Sequence, residues 1–459
     1  MAESQQGGPL DDIEPRLMLG AGSQDTMVTT IRNWDRTLTW RPTTVHRPAD
    51  ADEVSRIVAV AAEQGRRVKP VGSSLSWSDV ADIPDQVLQL DNLNSVSVDG
   101  MLARVGAGAK LRDVNESLAA HGLSLENFGS ITMQTLGGYI GTGTHGTGGR
   151  TPILSSFIEE LELVDGLGRI RTLNRESEPE LFSAARVNLG ALGVITAVTL
   201  RCVPSFDLEE RLELIDFDTA LADLDAYVDG NDYCKLWWMP YSDKLQVYTF
   251  NRTDKPRTPF TMQERFDASG LSGRVFTGIL ELSRRRPNLT PRLFPAVERR
   301  TFRDHVRVDR SDRIIRYAGT IPKHQETEYA IPREQAAEAI EGMRRLVLSA
   351  SAYKVNFTQE VRFVAADDIA MSPASGRDSC YLGGYTSNLR TAPAYFLDFE
   401  QLMAQYRGRP HWGKSFNRDA RQIRDLYPRY DEFARLRQQS DPQGVFGNRL
   451  LERIFAPVT

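Results

Sequence analysis

Cysteine is nearly missing from this chain: three in 459 residues, Cys202, Cys234 and Cys380, far apart and never at C-x-x-C spacing. That excludes a disulfide framework and a metal knuckle. Histidine is scarce too, six in all, with no H-E-x-x-H and no clustered His/Cys set, so no metal centre is expected. No window is apolar enough to cross a membrane, and Met1 to Gly20 lacks a positively charged start followed by an apolar run. These two absences point to a cytoplasmic protein with no membrane partner. Nor is there a surplus of positive charge: 56 Lys and Arg face 61 Asp and Glu, a net charge of −5, which offers no electrostatic footprint for nucleic acid. Internal repeats and low-complexity tracts are also lacking.

What is present is a globular composition, 41% hydrophobic and 25% charged, in a chain too long for one ordinary core. From Val45 to about Val203, short helical and strand patterns alternate. Val54, Ile57, Val58 and Ala61 form a helical stripe closed by Gly65, and Arg67 to Val71 reads as a strand. Ala103 to Val105 reads as a strand, Leu111 to Ala120 as a helix, Phe157 to Leu173 as a hairpin around Asp165-Gly166, Pro179 to Asn188 as a short helix and Gly193 to Cys202 as a β-branched strand. After Pro204 the texture changes. Lys235 to Tyr248 is rich in Trp and Tyr, Gln263 to Arg310 is basic and irregular, Glu326 to Glu334 reads as a strand meeting a helix at Pro332, and Lys354 to Val364 alternates like a strand. The class is α+β.

Two runs of small residues carry chemistry. Val71-Gly-Ser-Ser-Leu-Ser76 follows a strand, and Gly141-Thr-Gly-Thr-His-Gly-Thr-Gly148 contains a literal G-x-G-x-x-G. A dinucleotide fingerprint of the Rossmann kind needs a helix to begin inside that motif. The continuation through Gly149 to Pro152 stacks helix-breaking residues, so none is expected. What remains is a glycine-rich loop that lets backbone amides close on an anionic or flat ligand. Either run alone is better read as tight turns at strand ends.

Taken together, the motifs Val68-Lys-Pro-Val-Gly-Ser-Ser-Leu-Ser-Trp77, Asn127-Phe-Gly-Ser-Ile131, Gly137-Gly138, Thr144-His-Gly-Thr-Gly148 and Gly190-Ala-Leu-Gly-Val194 resemble, in order and spacing, the FAD-binding domain of the vanillyl-alcohol-oxidase type flavoproteins. Glu328-Tyr-Ala-Ile-Pro-Arg-Glu334, Glu360-Val-Arg362, Arg409-Pro-His-Trp-Gly-Lys414 and Asp441-Pro-Gln-Gly-Val-Phe446 are similar to the sugar-1,4-lactone oxidase branch, which holds gulonolactone, galactonolactone and arabinonolactone oxidoreductases and the alditol oxidases. The resemblance covers the chain from Asn33 onward. It implies a two-subdomain FAD-binding fold of the PCMH type and a cap domain with an antiparallel sheet and flanking helices. On that basis we expect a tail over residues 1–28, an FAD-binding domain over 29–205, a substrate (cap) domain over 206–415 and a C-terminal segment, 416–459, returning to the FAD domain.

The resemblance further implies cofactor contacts at Val71, Gly72, Ser73, Ser74, Leu75, Ser76, Gly129, Ser130, Thr135, Gly138, Gly141, Thr142, Thr144, His145, Gly146, Gly148, Gly193, Val194, Ile195 and Lys414. Closely spaced amides and hydroxyls neutralise a pyrophosphate without a basic cluster. Many relatives carry Gly-His-Ser in the first loop, the histidine being bonded to the flavin. Here Leu75 stands at that place and has no nucleophile, so FAD is expected to be non-covalent there; His145 is the one imidazole near enough for a link elsewhere. Gly129 matches the position beside flavin C4a, where a plant dehydrogenase of the family has alanine. A missing methyl leaves room for O₂, which favours an oxidase.

Glu360 and Arg362 stand at i and i+2 of a strand pattern and share a face. A carboxylate there accepts from hydroxyls, while the guanidinium donates in a fixed fork. Outside this context a surface ion pair is the better explanation of the spacing, and the full set of motifs reverses that preference. The resemblance places both over the flavin, with Lys414 as a cation near the flavin or the substrate oxygen and Ser130 as a hydroxyl contact. His411 is either an orienting residue or a packing one. Glu328, Tyr329 and Arg333 are expected to be structural, as are Trp237 and Trp238. The expected activity is oxidation of a carbinol of a sugar lactone or polyol, with O₂ as acceptor and H₂O₂ as product. The competing readings are a dehydrogenase or epimerase of the same fold with another acceptor, and a non-catalytic flavin or sugar binder. The sequence sets neither the substrate stereochemistry nor the oligomeric state.

Overall fold

The first helix shows how local chemistry aims the first loop. Asp50 accepts from the Glu53 N–H at 2.8 Å and the Glu53 carboxylate accepts from the Ala49 N–H at 2.7 Å, fixing the start of Ala51–Glu63. Val54, Val58 and Ala61 then bury one face, and Gly65, at φ +64°, ends the helix. The chain enters the strand Val68–Val71, which pairs in parallel with Gln86–Gln89, itself paired in parallel with Thr44–His46. This computed structural model describes residues 30–82, 85–259, 271–316 and 321–457. The expected tail, and residues 263–270 of the basic stretch, lie outside the described residues.

Next to this small sheet lies a five-stranded antiparallel one, in the order Ile170–Asn174, Ile158–Val164, Val194–Arg201, Leu102–Gly106, Val96–Asp99. Both lie within one core that includes Val58, Leu88, Val105, Leu163 and Val198. The G-x-G-x-x-G run starts no helix: the helix Leu136–Gly141 ends at its first glycine, and the chain turns through Gly143 at φ +64°.

The later chain builds an eight-stranded antiparallel sheet, ordered His305–Arg310, Asp207–Asp216, Lys244–Arg252, Tyr233–Trp238, Gln359–Val364, Ser379–Thr386, Gln325–Pro332, Arg409–Pro410. Alternation gives it two unlike faces. Leu236, Val361, Leu382 and Tyr329 point to one side, where the helices Ala336–Ser349 and Ala392–Gln405 cover them and the Tyr329 hydroxyl donates to Glu400. Residues of the opposite parity, including Glu326, Glu328, Glu360 and Arg362, face the first half of the chain.

Two elements differ from the sequence expectation. The strand expected over Lys354 to Val364 starts only at Gln359, because the Asn356 side chain accepts from the Thr386 hydroxyl and the Ser387 N–H, both at 3.0 Å, in place of a ladder. Pro332 ends a strand rather than opening a helix; a 3₁₀ turn, Arg333–Gln335, intervenes before Ala336.

The C-terminal residues pack back onto the first sheet. Asp441 accepts from the N–H groups of Val445 (2.8 Å) and Phe446 (2.9 Å), which turns the Val445 carbonyl onto the Val68 N–H at 2.9 Å. Buried Asn448 donates to the carbonyls of Asp79, Val80 and Asp82 at 3.1 to 3.3 Å and caps the helix Arg449–Ile454. Asn448→Ala therefore removes a cap and strands buried carbonyls, a loss of about 1–3 kcal/mol. A lower urea midpoint with intact secondary structure is the expected result, and an unchanged midpoint counts against this anchor.

Candidate active site

A cleft of about 940 Å³, part of it open to solvent, lies between the first loop and the helix Leu136–Gly141. Val71, Gly72, Ser73, Ser74, Leu75, Ser76, Thr135, Gly138, Gly141, Thr142, Gly193 and Ile195 all line it. Gly72 lets the two walls meet, since a Cβ there would lie 2.0 Å from Thr135 Oγ1. Ser74 sits at φ +51°, a left-handed conformation that bends successive amides inward. Among the described residues, no protein acceptor takes the N–H groups of Ser73, Ser74, Leu75 or Ser76, while the Ser73 hydroxyl donates to the Met133 carbonyl at 2.6 Å. Unspent amides in a small-residue cradle fit the pyrophosphate of a dinucleotide.

Lys69 also lines this cleft and carries no sequence signal of its own. Its ammonium donates to the carbonyls of Leu189 and Gly190, both at 3.2 Å, holding a turn whose residues sit at φ +56° and +62°. Burial, helped by Arg437, pulls its pKa down to about 7 against Asp441 and Asp82.

From the cleft the chain runs to the large sheet. Gly146 passes so close to Phe128 that a Cβ would lie 2.5 Å from its carbonyl and 2.0 Å from Asn127 Oδ1. The Thr147 hydroxyl donates to the Cys234 carbonyl and accepts from the Phe363 N–H at 3.2 Å, and Gly148 bridges to Val364. Arg362 Nη1 donates to the His145 carbonyl at 3.3 Å. The glycine run thus docks on the strand carrying Glu360 and Arg362.

Register aligns the charged face in rows. Trp237, Glu360, Gly383 and Glu328 lie opposite one another across four strands, and Lys235, Arg362, Tyr381 and Ala330 form the next row. Gly383, without a side chain, leaves the space that the Tyr385 ring fills 2.6 Å from where a Cβ would be. Arg362 reaches both carboxylates, Glu328 at 2.6 Å and Glu360 at 3.5 Å. The Trp237 indole N–H and Tyr385 hydroxyl donate to Glu360 at 2.9 and 3.0 Å. Burial would raise both carboxyl pKa values. Arg362 outweighs it, holding Glu360 below the ordinary range with help from Lys235, and Glu328 well below it.

His145 is buried, its ring tilted against Tyr381 at 3.7 Å between centroids. Nδ1 faces the Gly146 carbonyl at 2.9 Å, which fixes a hydrogen there and turns the Nε2 lone pair toward Glu328 at 3.4 Å. Burial, then Arg362, lower its pKa; burial brings His411 down to about 3. Possible ligand atoms of His145, Glu328 and His411 lie within 4.8 Å of one another. Arg362 already occupies Glu328, and His411 Nδ1 accepts from the Gly413 N–H at 3.0 Å, so its neutral ring carries hydrogen at Nε2. His145 Nε2 and Glu328 Oε2 have no hydrogen-bond partner, while Glu328 Oε1 is held by Arg362 and His411 Nδ1 by the Gly413 N–H.

Lys414 pairs with buried Glu326, which also meets His324 at 2.6 Å, and its ammonium stands 4.5 Å from the Trp77 ring centroid. The Trp77 N–H donates to the Gly413 carbonyl at 2.8 Å, tying this corner to the first loop.

The structure therefore brings Glu360, Arg362, His145, Gly146 and Gly148 together on one face of the sheet, with Lys414 on a neighbouring pair. Thr144 hydrogen-bonds Thr142 at 3.0 Å inside the glycine run, Gly129 donates to the Tyr139 hydroxyl at 2.7 Å, Ser130 follows it partly exposed, and Val194 is buried in its strand beside the cleft. Glu328, expected to be structural, sits at the centre of the charged face. Tyr329 and Arg333 do not: Tyr329 points to the helical side, and Arg333 pairs with Asp225 and Asp229. Of the tryptophan pair, Trp238 packs in the core while Trp237 reaches Glu360. Strand periodicity was the available signal, since adjacent residues face opposite ways.

Acid stability reads out the Lys414 pair. Burial raises the Glu326 pKa, but Lys414 and His324 outweigh it and bring it to about 2 from 4.5. A depressed pKa contributes stability that is present above 4.5 and lost as pH falls toward about 2. In Lys414→Met the acid loss should begin at higher pH, the two denaturation profiles converging near the bottom of the range. Profiles that stay parallel would remove Lys414 as the cause.

Comparison with known proteins agrees with this geometry. Residues 198–454 match the family described as D-arabinono-1,4-lactone oxidase, and residues 42–174 match an FAD binding domain. The chain is 36% identical to the L-gulono-1,4-lactone dehydrogenase of Mycobacterium tuberculosis, over 93% of this chain and 99% of that one. It is 32% identical to the L-gulonolactone oxidase of Bos taurus, over 92% and 98%. In fold it is similar to the cholesterol oxidase of Brevibacterium sterolicum, with TM-score 0.77, 18% identity and coverage of 93% and 96%. With a cleft built for a dinucleotide and a match across more than half its length, the chain belongs to the D-arabinono-1,4-lactone oxidase family of FAD-dependent oxidoreductases.

Proposed function

We propose that this protein oxidises a carbinol of a sugar lactone, with polyols of similar shape as weaker candidates, using non-covalently bound FAD and O₂. The observation that carries this reading is the row Trp237, Glu360, Gly383, Glu328, with Arg362 joining its two carboxylates, beside a dinucleotide cleft. Residues 29–205 with 416–459 serve as the cofactor half and 206–415 as the substrate half. Bound FAD supplies hydride acceptance and passes the electrons on. The first-loop amides, with Thr135, Gly138, Gly141 and Thr142, hold its pyrophosphate; Gly129, Ser130, Thr144 to Gly148 and Lys414 serve its ring end.

The protein's own part is recognition and charge. A carboxylate has about four lone-pair sites. On Glu360 the Trp237 indole uses one on Oε1, while Tyr385 and Arg362 share Oε2, which leaves Oε1 able to accept from a substrate hydroxyl. Arg362 steadies the negative charge that grows as the hydroxyl loses its proton. Ser130 adds a hydroxyl contact. Leu75 in the first loop supports dissociable FAD, and three buried, unpaired cysteines support a cytoplasmic, reducing setting.

A different acceptor is the second reading, because the Mycobacterium tuberculosis relative is called a dehydrogenase. Anaerobic mixing of the yellow protein with L-gulono-1,4-lactone should bleach it, and admission of air should restore the colour and yield peroxide. Bleaching that air reverses slowly but a quinone reverses fast would establish the dehydrogenase. Colour left in an acid-precipitated pellet would refute dissociable FAD. A Cβ on Gly129 would lie 3.0 Å from the His145 carbonyl and 3.5 Å from the Tyr139 hydroxyl, crowding this end of the site. Gly129→Ala should keep its FAD and its bleaching while reoxidation by air slows on the order of tenfold. An unchanged reoxidation rate would show that oxygen does not pass this position.

A further inference from the structure

One cation on the charged face has no task in the scheme above. Lys235 belongs to the strand Tyr233–Trp238, directly opposite Arg362 and two residues from Trp237, whose indole holds Glu360. Its ammonium lies 4.7, 4.8 and 5.8 Å from the ring centroids of Trp237, Tyr248 and Phe250. These faces attract a positive charge without offering an oxygen to bond to. Among the described residues, no carboxylate is close enough to pair with the Lys235 ammonium and no protein acceptor takes its hydrogens; the rings are its contacts. The charged groups around it are Glu360 on the adjacent strand, Glu210 two strands away and Arg362. Glu360 is committed to Trp237, Tyr385 and Arg362.

A partly buried ammonium has three donors and no acceptor capacity, so a ligand entering beside Lys235 meets donors that no protein atom has taken. The carboxylate of Glu360, one residue row away, is the reverse: acceptor only. A ligand satisfying both must offer a hydroxyl hydrogen to Glu360 and a bare oxygen to Lys235. Hydroxyl oxygens can accept, but a carbonyl oxygen carries no hydrogen, has both lone pairs free and holds more negative charge. A sugar lactone has such a carbonyl; the alditol of the same carbon skeleton has hydroxyls alone.

Building on the reading of this site as a sugar-oxidising centre, we propose that Lys235 is a specificity-determining residue that donates to the carbonyl oxygen of a sugar lactone whose hydroxyl Glu360 accepts, and so selects lactones over open-chain alditols. The aromatic rings keep the ammonium in place before the ligand arrives, which lowers the entropy lost on binding.

The test uses FAD-loaded protein reduced with dithionite without air, so that ligand binds and no turnover follows. Calorimetry compares L-gulono-1,4-lactone, its open aldonate and the hexitol of the same configuration. Native protein should bind the lactone more tightly than the hexitol. In Lys235→Met, which keeps an unbranched apolar stem among the rings, lactone affinity should fall about tenfold or more, the loss expected for a hydrogen bond to a charged donor. Hexitol affinity should stay within about twofold, and Lys235→Arg should recover part of the lactone preference. Equal losses for lactone and hexitol, no loss for either, an aldonate that outbinds the lactone, or a K235M protein that no longer retains FAD would each overturn the assignment. Selective lactone binding that depends on Lys235, in a protein whose oxidised form is not bleached by lactone, would sink the oxidase reading and leave the Lys235 assignment standing.

Discussion

Arg362 cannot be buried alone, and most of the site follows from that. A guanidinium taken out of water costs several kcal/mol unless its donors are met. Here charge and donors are met from three directions: Glu328 on one strand and the His145 carbonyl from the glycine run accept hydrogen bonds, while Glu360 on its own strand lies 3.5 Å from Nε as an ion pair only. One side chain thus fixes the separation of the two carboxylates and the seating of the glycine run on the sheet. Removing Arg362 would leave two buried carboxylates without their shared cation, a penalty of about 3–5 kcal/mol, so the pairings constrain geometry more than they add stability.

That constraint explains why the glycines fall where they do. A loop that must carry its carbonyl to Arg362 passes Phe128 and Asn127 with no room for a side chain at Gly146. A sheet that must hold two carboxylates in one row needs a gap between them, and Gly383 supplies it. On the reverse side Gly384 does the complementary job, since a Cβ there would meet the Phe399 ring and the Tyr395 hydroxyl at 3.0 Å. Adjacent glycines in one strand therefore serve opposite faces, one making space for charge and the other for a covering helix.

Much of this was legible in the sequence where the signal is local. The spacing of Glu360 and Arg362 puts both on one face of any strand that carries them, and the Gly and Pro content after Gly148 rules out a helix at the glycine run; both readings needed a few residues only. Lys69 was not legible because its partners, the carbonyls of Leu189 and Gly190, lie some 120 residues away and are main-chain atoms. Glu328 was hidden by Pro332, which suggested a helix start and drew attention from the strand before it. Trp237 and Trp238 look alike in sequence, and only the parity set by pairing with Glu360 and Gln359 separates the one that lines the site from the one that packs the core. Glu326 acquires its role from His324 and Lys414, and the latter is a partner that only tertiary structure brings near.

Buried polar atoms in a folded protein are nearly all satisfied, so a local concentration of exceptions marks a place where folding alone did not decide the arrangement. His145 Nε2, Glu328 Oε2, Arg362 Nε and the Tyr381 hydroxyl all lack a hydrogen-bond partner, and all belong to the edge where the glycine run meets the charged face. The helical side of the same sheet shows the opposite economy: Gln359 alone bonds the Tyr385 main chain through both its amide nitrogen and its carbonyl oxygen, and accepts from the Tyr395 hydroxyl as well. The sheet is thus fully bonded at Gln359 on its helical side and leaves polar atoms unpartnered where it meets the glycine run. The unspent capacity mixes donors and acceptors at short range, which suits a ligand that is itself mixed, such as a flavin edge or a sugar, and does not suit a simple anion or a hydrocarbon.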